Sequence, residues 1–112
     1  MIYAIFGDSP TIRIVEWLIE NNAYDHSLIE IAEGTKLSPA VTRRNFEPLI
    51  KHDVVKVSRT IRRDNMYVLD TDNRCTKAII DFDKQIAKCC EKDEPPIDEN
   101  PEDVRSIEPP GF

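Results

Sequence analysis

Residues Ser27 to Leu69, SLIEIAEGTKLSPAVTRRNFEPLIKHDVVKVSRTIRRDNMYVL, decide the fold. Two helix starts are written into the first dozen positions. Ser27 with Glu30 three places on is a capping box, in which each residue's side chain satisfies an orphan backbone donor of the other. Ser38-Pro39 joins an N-cap hydroxyl to a proline at the first helical position, where a missing N–H costs nothing. A short helix is therefore expected from Ser27 to about Gly34, with Leu28, Ile31 and the small Ala32 on its inner face, and another from Ser38 to about His52. Beyond it the apolar period falls to two. Val54 to Ile61 alternates with Val55, Val57 and Ile61 on one face, and Met66-Tyr67-Val68-Leu69 makes a second strand. Arg62-Arg63-Asp64-Asn65 supplies turn formers and two cations between them, giving a hairpin with a basic tip.

Charge is polarised around this stretch. Between Lys36 and Arg63 eight basic residues stand against Glu47 and Asp53, net +6, in a chain of 112 residues whose total is −6. At 100° per residue the Ser38 helix sorts its side chains: Phe46, Leu49 and Ile50 point one way, while Ala40, Arg43, Arg44, Glu47 and Lys51 share a narrow opposite arc. Pro48 breaks the pattern, because an interior proline removes a helix hydrogen bond and costs roughly 3 kcal/mol in a regular helix. A kink or an early end is expected there.

Outward from this unit, Ser9-Pro10 starts an earlier helix running to about Asn21. Its buried stripe is Ile12, Val15, Leu18 and Ile19, widened by Ile14 and Trp17, with Glu16 and Glu20 facing water. Asn21 to His26 reads as a loop. Asn73 or Thr71 can cap a last helix, about Arg74 to Lys92, whose apolar seam is Ile79, Phe82, Ile86 and Cys89 or Cys90. The composition gives one α+β domain, mostly α, over residues 1–92, in which acidic and basic side chains balance. Residues 93–112 hold seven acids against Arg105 and are rich in proline, so an acidic disordered tail is expected. The apolar start, Met1 to Phe6, is too short for a secretory signal, and with no apolar run near 20 residues a membrane span is excluded.

Residues 9 to 70 resemble the winged helix-turn-helix transcription regulators, in the broad sense that includes ArsR-like and MarR-like proteins and many small archaeal ones. The resemblance rests on Ile31-Ala32, on Leu37-Ser38-Pro39 opening the third helix, on Leu49 near its end, and on Val54-Val55 and Met66-Tyr67-Val68-Leu69 as the two sides of the wing. Val41-Thr42 reverses the family's usual order of threonine then aliphatic, and Asp53 stands where glycine is common. The resemblance implies a recognition helix, about 38–52, in the major groove of double-stranded DNA and a wing, about 54–69, on the backbone or minor groove. Ser38, Ala40, Arg43 and Arg44 would then lie near the bases, and an arginine can pair bidentately with guanine. Lys51, Lys56, Arg59, Arg62 and Arg63 would mostly meet phosphates, which position the protein without reading sequence. The competing reading of these cations is a solvated surface.

A single module of this size covers little DNA, so a homodimer on palindromic half-sites is expected. Ile2, Tyr3, Ile5 and Phe6 at the start, with Ile79, Phe82 and Ile86 near the end, carry more apolar surface than the core needs and are the expected interface; otherwise they pack on the Ser9-Pro10 helix. Two other classes compete: a winged-helix protein-interaction module, which would need no basic face, and a thiol- or metal-responsive regulator using Cys75, Cys89, Cys90, His26 and His52. Three cysteines with no Cys-x-x-Cys spacing fit a reduced, cytoplasmic setting better than a disulfide framework or a metal site. No cofactor, metal or catalytic constellation is expected.

Overall fold

The computed structural model describes residues 2–93; the expected acidic tail lies outside the described residues. Within them, five helices and one hairpin follow in the order α1 (Tyr3–Phe6), α2 (Pro10–Glu20), α3 (Leu28–Thr35), α4 (Pro39–Lys51), β1 (Val55–Ile61), β2 (Asp64–Leu69) and α5 (Arg74–Asp93).

Local chemistry sets the helix starts. Ser9 Oγ accepts from Ile12 N at 3.1 Å, and Ser38 Oγ accepts from Val41 N at 3.2 Å. Both halves of the Ser27–Glu30 capping box form, at 3.1 and 3.2 Å. Asn73, rather than Thr71, caps α5, its Oδ1 accepting from Cys75 N at 2.8 Å and Thr76 N at 3.2 Å.

The three central helices and the root of the hairpin enclose one core: Ile14, Val15 and Leu18 from α2, Ile31 from α3, Phe46 and Leu49 from α4, then Val54, Val55, Tyr67 and Leu69. The Phe46 and Tyr67 rings meet edge to face at 4.8 Å, locking α4 to β2. Gly34 is the close-approach point of α2 and α3. A Cβ there would stand 2.3 Å from the Trp17 indole, so no side chain fits unless the ring moves. Thr42 is completely buried and its hydroxyl is satisfied by Ser38 O at 2.9 Å, which lets a threonine occupy the inner face. Asp53 turns α4 into β1 at φ 58°, a left-handed conformation where glycine is usual and aspartate is tolerated. Thr76, also buried, ties α5 to the wing root by donating to Val54 O at 3.0 Å.

Several expectations are corrected. Glu16 does not face water: it is buried and accepts backbone hydrogen bonds from Ile2 and, at 3.4 Å, from Tyr3. The apolar start folds into α1, whose first amides have no partner within so short a helix and need an acceptor. Pro48 does not end α4, which continues to Lys51, with His52 N bonded to Pro48 O at 3.0 Å. The cost falls on the Arg44 carbonyl, which has no N–H from Pro48 to accept, close to the helix end. Ile50 is 43% exposed; at 100° per residue it stands about 80° from Thr42 and 100° from Leu49, outside the buried strip.

The wing is corrected as well. Of Val55, Val57 and Ile61 only Val55 is buried. The strands pair antiparallel, Val55↔Leu69, Val57↔Tyr67, Arg59↔Met66 and Ile61↔Asp64, with Ser58 as an extra residue between Val57 and Arg59. That bulge reverses the alternation, so Ile61 falls on the opposite face from Val55, while Val57 extends past the body that covers its neighbour. The loop before α3 also reaches the sheet. His26 bridges Tyr67 through two backbone hydrogen bonds, of 3.0 and 2.8 Å, on the edge that β1 does not use.

Candidate nucleic-acid interface

The exposed face of α4 is the arc expected from its periodicity: Ala40, Arg43, Arg44, Glu47 and Lys51 are all exposed. Ser38 is exposed too, with its hydroxyl engaged as the N-cap. Lys51 lies in the last turn, where a cation is favoured by the helix dipole.

At the other side of the surface the hairpin turns in two residues, because Ile61 pairs with Asp64. Arg62 and Arg63 both take positive φ, 51° and 77°, the conformation that the two central residues of a type I′ turn require. Asparagine and glycine adopt it most readily; a left-handed arginine costs about 1–2 kcal/mol. Two guanidinium groups are thus held at the tip against a backbone penalty.

The helix and the tip converge. Arg43 from α4 and Arg63 from the turn line one groove of about 230 Å³, together with Ser27, Leu28 and Ile29 of the first turn of α3. That first turn was not anticipated as part of the site. Its signal was Ile29, an aliphatic off the stripe formed by Leu28, Ile31 and Ala32, and it is exposed. Arg44 and Lys51 share the open face of α4. Lys56 lies on β1, its Nζ 4.0 Å from Asp70 Oδ1.

Arg59 is placed differently from the other cations. Its guanidinium is paired with Asp25, Nε to Oδ2 at 2.8 Å and Nη2 to Oδ1 at 3.1 Å. These hydrogen bonds, aided by the Ser58 hydroxyl and opposed by burial, hold the Asp25 carboxyl down at about 2.

The terminal apolar residues divide into two sets. Ile2 and Ile86 are buried and Ile79 is half-buried within the chain, whereas Tyr3, Ile5, Phe6 and Phe82 remain exposed, Phe6 at 62%. The Phe6 and Phe82 rings lie 5.9 Å apart, joining α1 to α5 in one exposed aromatic patch. Cys75 and Cys89 are free and exposed, while the Cys90 side chain lies outside the described residues. Among the described residues no three His, Cys, Asp or Glu side chains gather as a metal site would need, and no helix is long and apolar enough to cross a membrane.

A helix pair with a third helix laid across it, followed by a two-stranded wing, defines the winged helix-turn-helix fold. No protein-family model matches the chain, and no curated protein matches its sequence. Solved structures do match. A point mutant of Lactococcus lactis ZitR superposes with a TM-score of 0.53 at 18% identity over 71% of this chain and 57% of its own. RV1404 from Mycobacterium tuberculosis gives 0.55 at 21% identity over 79% of this chain and 61% of its own. Bordetella bronchiseptica BpsR, a protein whose DNA binding is regulated by 6-hydroxynicotinic acid, gives 0.52 at 21% identity over 79% of this chain and 63% of its own. At such identities the likeness establishes the fold, and the chain spans about three fifths of the length of these three proteins.

Proposed function

We propose that this protein is a sequence-specific, double-stranded-DNA-binding transcription regulator, with α4 in the major groove and the wing on the adjacent backbone or minor groove. One observation carries this reading: the exposed cationic face of α4 and the arginine tip of the wing open onto the same groove through Arg43 and Arg63. The spatial set of cations is what a protein-interaction winged helix would have no need to keep. DNA binding by BpsR, on the same fold, adds support. The DNA-binding domain is residues 1–92, with the acidic segment 93–112 outside it. Ser38, Ala40, Arg43 and Arg44 face bases, and Lys51, Lys56, Arg62 and Arg63 face phosphates.

Selection of bound duplexes from random DNA, followed by mobility shift across salt, tests this. A selected duplex should bind, and the logarithm of the affinity should fall with the logarithm of salt by about 0.9 for each phosphate neutralised. No shift with any duplex at low salt overturns the proposal.

The regulator works as a homodimer through the aromatic patch of α1 and α5. Tyr3, Ile5, Phe6 and Phe82 leave apolar surface in water, and a two-fold pair would bring two recognition helices to two half-sites. Light scattering should give twice the chain mass at micromolar concentration. A monomer there rejects the dimer without touching the DNA reading.

A further inference from the structure

Both strands of the wing are tied at mid-length to one loop that precedes α3. His26 bridges Tyr67 of β2. Its neighbour Asp25 reaches β1, where its carboxylate accepts the two-pronged contact from Arg59 and a further hydrogen bond from Ser58 Oγ at 2.5 Å. Paired N–H groups on one carboxylate make the strongest and most directional ion contact an arginine forms. Only 13% of the Asp25 side chain is exposed, against 61% for Arg59.

Ser58 is the extra residue of the bulge, the point at which a strand bends. A two-stranded hairpin alone is only marginally stable in water, so the angle at which this one leaves the body must come from contacts with the body. Asp25 grips the two residues at the bend, Ser58 and Arg59. The same contact consumes the charge of Arg59. Swinging its guanidinium to a DNA phosphate would leave an unpaired carboxylate beside a polyanion, so little is gained by the exchange.

We infer that Asp25 is the positioning residue of the wing and that Arg59 is its anchor rather than a phosphate contact, which leaves the DNA contacts of the wing to Lys56 and to its tip, at Arg62 and Arg63. The clamp rests on the DNA-binding reading only for its role; its existence is independent of it. Its carboxylate stays charged in any ordinary assay. A carboxyl lowered from 3.8 to about 2 contributes fully above the unfolded value and is lost only as pH falls through the folded one.

Asp25→Ala, Arg59→Ala and Arg63→Ala in the full chain test the inference by two measurements. Amide hydrogen exchange without DNA should show Ser58 and Arg59 exchanging at least several-fold faster in Asp25→Ala, with Asp25→Asn intermediate because its amide oxygen still accepts. In DNA binding, Arg63→Ala should reduce the steepness of the salt dependence by about 0.9, whereas Arg59→Ala should leave it unchanged and Asp25→Ala, by freeing a guanidinium, should increase it. A loosened wing alone can weaken affinity but does not change the number of phosphates met. Unchanged exchange in Asp25→Ala overturns the clamp. An Arg59→Ala drop in steepness equal to that of Arg63→Ala overturns the assignment of Arg59. Should the unaltered protein bind no duplex, the functional reading falls, and exchange still decides the clamp.

Discussion

Phe46→Ala is expected to lower the melting temperature more than any exposed substitution in the molecule, by about 12–40 °C at about 4–8 °C per kcal/mol for a domain of this size. Phe46 is 1% exposed, on the inner face of α4, with its ring against Tyr67. Truncating a buried phenylalanine removes its transfer free energy and leaves a cavity, together about 3–5 kcal/mol. That is a large part of the total for a small domain, about 0.05–0.15 kcal/mol per residue. The edge-to-face contact is also the bridge from α4 to the wing, so the same change should loosen the angle between them. Ile50→Ala, one turn later and 43% exposed at the margin of the buried strip, should cost clearly less, about 1 kcal/mol. Thermal unfolding followed by circular dichroism compares the two. Equal shifts would mean that Ile50, as its periodicity suggested, is inside after all.

Ile50 shows where sequence reading reached its limit. The helix starts were legible because caps act over three residues: Ser9, Ser27, Ser38 and Asn73 each bond a backbone amide two or three places on. The polar arc of α4 was legible because every member obeys the same 100° rotation. What periodicity could not supply is the width of the buried strip, which depends on where neighbouring elements end. It therefore placed Ile50 and Val57 inside, although both are exposed.

Contacts across long sequence separations left no local mark. Glu16 has the same i, i+4 spacing to Glu20 as a solvated helix face, yet it is buried by a segment fourteen residues earlier. Asp25 and Arg59 are thirty-four positions apart and looked like a loop acid and one more wing cation. The Ser58 bulge, which sends Ile61 to the other face, has no glycine to announce it. The cations of the candidate surface were legible as a set of charges. That the Arg59 guanidinium is paired with Asp25 was a matter of tertiary structure.

Replacing both Arg43 and Arg44 by alanine should weaken binding to a selected duplex by about 30-fold to 10⁴-fold, since each well-placed arginine on guanine is worth about 1–3 kcal/mol and 1.4 kcal/mol is tenfold. Both side chains are exposed and neither lies in the core, so thermal stability should be unchanged and the weakening can be read as a binding effect. Random duplex should be weakened much less, only by the share owed to general charge. The comparison pair is Arg62→Ala with Arg63→Ala. Those guanidinium groups sit on a turn rather than on the helix, and removing them should weaken selected and random duplexes by the same factor while reducing the salt dependence by about 0.9 for each phosphate no longer met. Arg43 stands between the two groups, since it shares the groove of Arg63 while projecting from α4. As a single substitution it should therefore lower both specificity and salt dependence, whereas Arg44→Ala should lower specificity alone. Affinities for selected and random duplexes across salt give all four values. If Arg43 and Arg44 affect the two duplexes equally, α4 lies along the backbone, and the sequence is read by some other part of the surface.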